Sequence, residues 1–395
     1  MSSRVNLFAP EVRANPYALY AELRRHNPVC QVDPGGMWAV ARAEDVVAAF
    51  KNPKVFSSEG LRQTYRPEWI PNYPIADSML VMDPPDHTRL RTLISRAFGP
   101  SVQTRLEPRI REHAKQVIAG LPAGRSVDFV EHFAFPVPIA VVGELVGITN
   151  HPKIKDWMEV ITQFTSVGSD LERQAQMRAT VNEIREYFED VLEARRREPR
   201  EDLVSDLMRA RLDGQALTHT ELMGFLMLLL LGGLETTVHL LSYSARRLQE
   251  QPELMTRLRA EPALIPRFIE EALRHGSPIQ GLVRLAMEDV ELGGVRIPKG
   301  GRVLLLVASA NRDEALFPDP DRFDMDRPVG QHSLPFGHGI HFCLGAQLAR
   351  LEARLALEAL LARFSRLTPG DGPVRFNVSV IMRGALSLPL VPHED

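Results

Sequence analysis

One cysteine sits where a cysteine can do chemistry. Residues 336–345 read FGHGIHFCLG, so Cys343 lies in a loop with glycines at 337, 339 and 345, and the segment AQLARLEARLALEALLARF follows directly. A thiolate is the metal-ligating form of this side chain, and its negative charge must be stabilised. Backbone N–H groups of a tight loop and the start of a helix supply that stabilisation. Glycines let the backbone pass close to a flat group with no Cβ in the way. The pattern suits thiolate ligation of a planar cofactor, with Phe336 packing beside the sulfur and keeping water away. Two other readings fit the same loop. Cys343 can be an inert buried hydrophobe, the commoner fate of a lone cysteine. It can also join His338 and His341 in a metal site, although zinc sites bring further cysteines at paired spacings. This chain has only two cysteines, Cys30 and Cys343.

A second candidate lies in LLLLGGLETTVHLL. Gly232 and Gly233 interrupt a helical pattern, at a cost of roughly 1 kcal/mol each relative to alanine. A helix tolerates this where something approaches its backbone. The Thr236 hydroxyl beside such a gap can hold a water or bend the helix. Packing of another helix across small residues is the alternative reading. Glu271 and Arg274 are spaced i, i+3, and His87 and Arg91 i, i+4, so each pair shares a helix face. Taken alone, such pairs are also what a solvated helix surface carries.

Mostly helices must position these residues. Asn15-Pro16 precedes the amphipathic YALYAELRRH; 37–41 reads as a strand, and AEDVVAAFKN as a helix. Residues 57–80, rich in Pro, Ser and aromatics, have no period and read as a long functional loop. A helix starts near Pro84-Pro85 and stops at Gly99-Pro100. Helical periodicity continues over 101–119, 138–146, 152–167, 171–197, 201–211, 218–249, 251–259 and 262–275. VELGGVRIPKGGRVLLLVASAN then alternates between glycine turns, as hairpins do. A turn-rich stretch over 311–335, a helix over 345–364 and a β-like tail complete the chain.

Composition removes several function classes. The chain has 395 residues, 44% hydrophobic and 25% charged, which is globular. A formal net charge of -3 argues against coating nucleic acid. Two cysteines exclude a disulfide framework. The N-terminus lacks a signal-type apolar core, and the run 225–231 is far shorter than the ~20 residues of a membrane span. The reading is a cytoplasmic protein that does not enter a membrane. No repeat, linker or boundary divides it, so one catalytic domain over 1–395 is expected.

FGHGIHFCLG resembles the heme-binding loop of the cytochrome P-450 family, F-G-x-G-x-H-x-C-x-G, at all six defined positions: Phe336, Gly337, Gly339, His341, Cys343 and Gly345. Three further patterns resemble the family in order. Glu271-Ala-Leu-Arg274 is similar to its E-x-x-R helix, and FPDPDRFDMDRP places Arg327 where the family has an arginine joining that pair. Asn311-Arg312-Asp313-Glu314 departs from the usual N-R-D-P. Gly232, Gly233, Glu235, Thr236 and Thr237 resemble the oxygen-binding helix. His87 and Arg91 in DPPDHTRLRTLISRAF, with Arg284 and His341, resemble the heme propionate clamp.

The resemblance implies a mainly α fold with small β-sheets, a triangular prism holding heme b (iron protoporphyrin IX) between the long oxygen-binding helix and the cysteine loop. It implies Cys343 as axial ligand, with Phe336 and Gly345 lining the cofactor. Glu271, Arg274 and Arg327 form a structural network beneath it. Thr236 would orient water, and Glu235, in place of the more usual aspartate, would replenish the proton. The implied reaction inserts one atom of O2 into a hydrophobic small molecule: a secondary metabolite, terpene, steroid or fatty acid. Substrate walls are expected from Leu228, Gly232, Ile279, Leu282, Val283, Ile381 and Met382, while Tyr65, Trp69 and Tyr73 form either a lid or a packed cluster. Electrons would come from a separate ferredoxin and its NAD(P)H-dependent reductase, meeting a basic face drawn from Arg89, Arg96, Arg105, Arg109 and Arg350. A peroxide-driven relative would turn over with peroxide alone. A non-enzymatic heme sensor would show no substrate-induced spectral change.

Overall fold

Short apolar runs between turn residues build the largest of the four sheets among the described residues. The computed structural model describes residues 5–33, 35–146, 153–161, 164, 170–328, 333–377 and 379–395. Six strands hydrogen-bond in the order Val5–Asn6, Val29–Asp33, Met37–Val40, Arg302–Leu305, Leu282–Ala286 and Phe56–Ser57. Leu282–Ala286 runs antiparallel to Arg302–Leu305, with Arg284 opposite Val303 and Val283 opposite Leu304. Strand geometry sends alternate side chains to opposite faces. Ala286, Val303 and Leu305 therefore share a face, where they pack with Phe50, Val46 and Val40, and Leu282 joins the same cluster. Ala43–Lys51 covers that face; its first N–H donates to Asp313 Oδ2 at 2.8 Å, a cap supplied from far along the chain.

The chain is 57% helical with small sheets, the expected mainly α class. Its residues group into two units. One comprises Met1–Ser57, Ala114–Phe135 and Thr236–Asp395; the other comprises Ser58–His113 and Pro136–Glu235. The first holds the sheet and the cysteine loop. The second is helical and includes Asp86–Ala97 and Leu171–Arg197. Leu171–Arg197 starts where Asp170 accepts the Arg173 N–H at 3.1 Å, an aspartate N-cap.

Three local expectations need correction or limits. The stretch 57–80 is not one loop: it holds the helix Glu59–Tyr65 and the 3-10 turns Pro74–Asp77 and Met79–Val81. The 152–167 helix runs over Ile154–Ile161, and most of the remainder lies outside the described residues. His219–Glu250 is apolar enough over 18 residues to pass for a membrane span, a longer apolar stretch than 225–231 suggests; 78% of that window is buried in the molecule.

Candidate functional site

The cysteine loop is held by a chain of hydrogen bonds that begins on a helix. Glu271 and Arg274 lie on Ile265–Gly276 and are 5% and 2% exposed. Arg274 grips Glu271 with two parallel bonds, Nε to Oε2 and Nη2 to Oε1, both 2.7 Å, the bidentate geometry that makes Arg–carboxylate pairs strong. Its Nη1 donates to the carbonyls of Asn311 and Pro320, each at 2.9 Å. Asn311 Nδ2 donates to Ser277 Oγ at 2.9 Å, and its Oδ1 accepts the Leu334 N–H at 2.6 Å. Leu334 in turn accepts the Gly337 N–H, and Phe336 accepts the Cys343 N–H at 3.0 Å. Arg327 stands further off, its Nε 3.8 Å from Glu271 Oε1, and its guanidinium donates to the carbonyls of Pro318 and Asp319. The structure thus brings Glu271, Arg274 and Arg327 together. Sequence reasoning missed Asn311 as the link from them to the loop.

Within the loop, Gly337 and Gly339 have φ near +73° and +72°, a region that disfavours any Cβ. At Gly339 a Cβ would also stand 2.6 Å from the Phe50 carbonyl oxygen. The loop therefore docks on the end of Ala43–Lys51. The same residue carries Arg284, whose guanidinium lies 5.5 Å from the Phe50 ring centroid and donates to the Val283 carbonyl. His341 is partly buried on this loop. Phe336 packs against Phe342 and beneath the Arg350 guanidinium, 4.4 Å from its ring. The helix Ala346–Arg363 follows, with Gly345 at its N-cap.

The departure from N-R-D-P is anchored rather than loose. Glu314 takes Arg24 Nε at 2.8 Å and Arg25 at 2.9 Å. Burial raises its pKa, but the Arg24 hydrogen bond and charge, with Arg25, overcome that and hold it at about 2.

The second unit carries the remaining polar candidates. His87 is 2% exposed on Asp86–Ala97, and Arg91, one turn later, is partly buried. Gly232 and Gly233 have different reasons. A Cβ at Gly233 would stand 3.0 Å from Val142, so this glycine serves helix packing; at Gly232 it would meet only Leu228 at 4.0 Å. Glu235 is buried. Its neighbour is Tyr65, whose hydroxyl is pushed up to about 12 by burial and by the Glu235 charge. Tyr65, Trp69 and Tyr73 form a packed cluster around Phe164, with centroids at 5.4, 5.5 and 5.0 Å, and Phe164 was not foreseen as its centre. Thr236 is partly buried at the start of the other unit's share of the long helix.

Among the expected substrate walls, Ile279 pairs with Met382, and Ile381 accepts the Gln280 N–H at 2.7 Å, so these three meet. Leu282 and Val283 do not share a face. Leu282 sides with the Phe50 cluster, whereas Val283 is 3% exposed beside Leu304. Both are packed, Leu282 in the cluster beneath Ala43–Lys51 and Val283 on the opposite side of the strand. Leu228 is partly buried and Gly232 exposed. The five arginines expected on a basic face have partners within the chain. Arg89 pairs with Glu221, Arg109 with Glu144, Arg105 with Asp206 at 3.6 Å and Arg350 with Glu270 at 2.5 Å, and Arg96 donates to the Arg211 carbonyl. Four of the five thus face a carboxylate, and Arg96 a backbone carbonyl.

These residues fit a thiolate-ligated heme. The Cys343 side chain is exposed while its N–H is engaged, and a Cβ at Gly337 or Gly345 would meet no protein atom within 4 Å. A sulfur donor, a glycine surround and a buried arginine on the same docking residue form the right donor set. Among the described residues no cluster of three His, Cys, Asp or Glu forms a metal site, which sets aside the His338–His341–Cys343 reading.

Comparison with known proteins agrees. Residues 5–387 match the family model "Cytochrome P450". The structure of CYP109Q5 from Chondromyces apiculatus superposes with a TM-score of 0.90 at 40% identity, covering 100% of both chains. That of CYP109E1 from Bacillus megaterium in complex with testosterone gives 0.84 at 32% identity over 95% of this chain and 99% of the other. A vitamin D(3) 25-hydroxylase of Pseudonocardia autotrophica is 37% identical over 393 residues, 98% of this chain and 96% of that protein. The chain therefore belongs to the cytochrome P450 family, whose cofactor is heme b, and is a monooxygenase.

Proposed function

We propose that this monooxygenase hydroxylates or epoxidises a hydrophobic small molecule of steroid kind, and that the Cys343 thiolate would bind the heme iron. The observation that carries the reading is the braced cysteine loop, in which Arg274, Asn311 and Leu334 fix the backbone while the Cys343 side chain stays exposed. Bound through a thiolate, heme supplies the activation of O2 and favours O–O cleavage. The chain supplies binding, orientation and protons. Arg284, His341, His87 and Arg91 would hold the propionates by charge-assisted hydrogen bonds, and Phe336 and Gly345 would line the cofactor. Thr236 Oγ1 orients a water, since a hydroxyl is too weak an acid to donate a net proton. The Glu235 carboxyl replaces the proton that this water passes on. Burial and the Glu235 charge keep the Tyr65 hydroxyl protonated.

Leu228, Gly232, Ile279, Leu282, Val283, Ile381 and Met382 are assigned to the substrate. They are apolar, as a lipophilic ligand requires. A steroid-bound relative and one named for vitamin D(3) support that class. The reading includes one catalytic domain over 1–395, a cytoplasmic setting, and electrons from a separate ferredoxin and its NAD(P)H-dependent reductase.

A panel of steroids, macrolides, terpenes and fatty acids, titrated against the holoenzyme, should find ligands that shift the heme from low to high spin. With such a ligand and a surrogate ferredoxin system, Thr236→Ala should consume reductant normally and release most of it as peroxide. Full coupling in the variant would remove Thr236 from the relay. Turnover with peroxide alone, at the same rate as with donors, would replace the reading by a peroxygenase.

A further inference from the structure

A cavity of about 320 Å3 lies within the unit that carries the cysteine loop. Its walls are the later turns of the long helix, the end of Ile265–Gly276, the stretch 376–384 and the N-terminal segment at Asn15 and Tyr17. Arg246, Arg247, Arg312 and Arg383 line it, and Glu250 is the one carboxylate that does. Four guanidinium charges against one carboxylate give its lining a surplus of three. Arg246 and Arg247 share Glu250, at 2.7 and 3.0 Å. Asp321, outside the lining, offsets Arg312 at 2.8 Å.

The fold concentrates this charge where it is costly. Arg246 and Arg383 both lie over the Phe376 ring, 5.3 and 4.6 Å from its centroid, which holds two like charges on one small surface. Arg312 stacks on Tyr17 at 3.4 Å. Arg247 Nε and Arg312 Nε are buried donors with no hydrogen-bond partner among the described residues. A guanidinium cannot shed its proton to relieve such a position. His275 in the wall adds no positive charge. His275 Nδ1 accepts from Arg312 at 3.0 Å and meets the Tyr243 hydroxyl at 2.5 Å, so its proton sits on Nε2, which donates to the Asp321 carbonyl. Burial and Arg312 drive its pKa down to about 2, which keeps the ring neutral.

We infer that this cavity binds a small organic oxyanion, a carboxylate or a phosphate monoester, with guanidinium forks on the oxygens and the Tyr17 and Phe376 rings along the organic part. Planar forks suit both anions bidentately. The volume lies at the lower end of the range for small-molecule sites.

Isothermal titration of the heme-loaded enzyme at fixed ionic strength tests it, with benzoate, phenyl phosphate and inorganic phosphate as probes and benzyl alcohol as neutral control. Saturable one-to-one binding of benzoate or phenyl phosphate, and none of benzyl alcohol, is expected. Preference between the two anions tells a carboxylate ligand from a phosphate ester. R246Q/R383Q should weaken binding by about tenfold or more, the scale of one or two charge-assisted bonds. Should that variant fold poorly, Glu250→Gln removes the competing carboxylate and should tighten binding instead. Absence of saturable binding by every anion, or the same affinity in all variants, overturns the assignment.

Discussion

Glu271 and Glu352 are both buried in the same unit, on the helices Ile265–Gly276 and Ala346–Arg363, and their surroundings could hardly differ more. Glu271 receives two bonds from Arg274 and the Asp324 N–H at 2.8 Å. Glu352, on the helix that follows the cysteine, has burial as the cause of a pKa raised well above the carboxylate range, and its Oε2 has no hydrogen-bond partner among the described residues. A buried carboxylate keeps its charge when the fold supplies a full set of donors; without them it takes up a proton. The first arrangement can fix a loop in space, because every donor has a direction. The second fixes little.

Removing Arg274 should turn the first case into the second. Arg274→Leu leaves Glu271 without its bidentate partner and strips donors from the Asn311 and Pro320 carbonyls. Breaking a buried pair from one side costs about 3–5 kcal/mol. The expected result is a large fall in melting temperature and loss of most bound heme, read from the Soret band. Adding Glu271→Gln to Arg274→Leu should return part of that stability. A variant with unchanged melting and heme content would show that the network does not hold the cysteine loop.

Glu352→Gln should act in the opposite direction and only at the right pH. The folded state raises the pKa of Glu352 above its ordinary 4.5, so it binds a proton that the unfolded chain has already lost. Stability from that proton is complete below the unfolded pKa and is lost as pH rises towards the folded one, at up to about 1.4 kcal/mol per pH unit. Glutamine has the same shape and no such slope. Thermal midpoints of wild type and variant should therefore nearly coincide at pH 4.5 and separate at pH 6 and 7, with the variant the more stable. Parallel profiles would mean that Glu352 is charged in the fold.

Much of this was legible in the sequence where spacing along the chain sets geometry. The loop glycines, the i, i+3 pair and the boundaries of Leu171–Arg197 all depend on residues within a few positions of one another. Alternation in Leu282–Ala286 was equally readable, and it turns Leu282 and Val283 to opposite faces of the strand. The helix Glu59–Tyr65 escaped because two turns are too short to show a period. What could not be read depends on distant partners. Asn311 links Ser277 to Leu334, Phe164 gathers three aromatic rings from 65–73, and the arginine cavity draws on five separate stretches of chain. Gly232 and Gly233 look alike in sequence, and only Val142 tells them apart.

Arg327 offers the finest test of what a buried carboxylate requires. Its side chain is 12% exposed against 3% for Arg274, and at 3.8 Å its Nε adds charge to Glu271 without a hydrogen bond. Its directed bonds go to the Pro318 and Asp319 carbonyls, at 2.7 and 3.0 Å. Arg327→Ala should then loosen the turn-rich stretch while Glu271 keeps Arg274 and the Asp324 N–H. The expected cost is about 1–3 kcal/mol, the scale of hydrogen bonds from a charged group, and smaller than that of Arg274→Leu in the same assay. Arg327→Lys should recover little, because an ammonium cannot span two carbonyls with a planar fork. If Arg327→Ala matched Arg274→Leu in lost heme and lost stability, neutralising Glu271 would need both arginines, and direction would matter less than total charge.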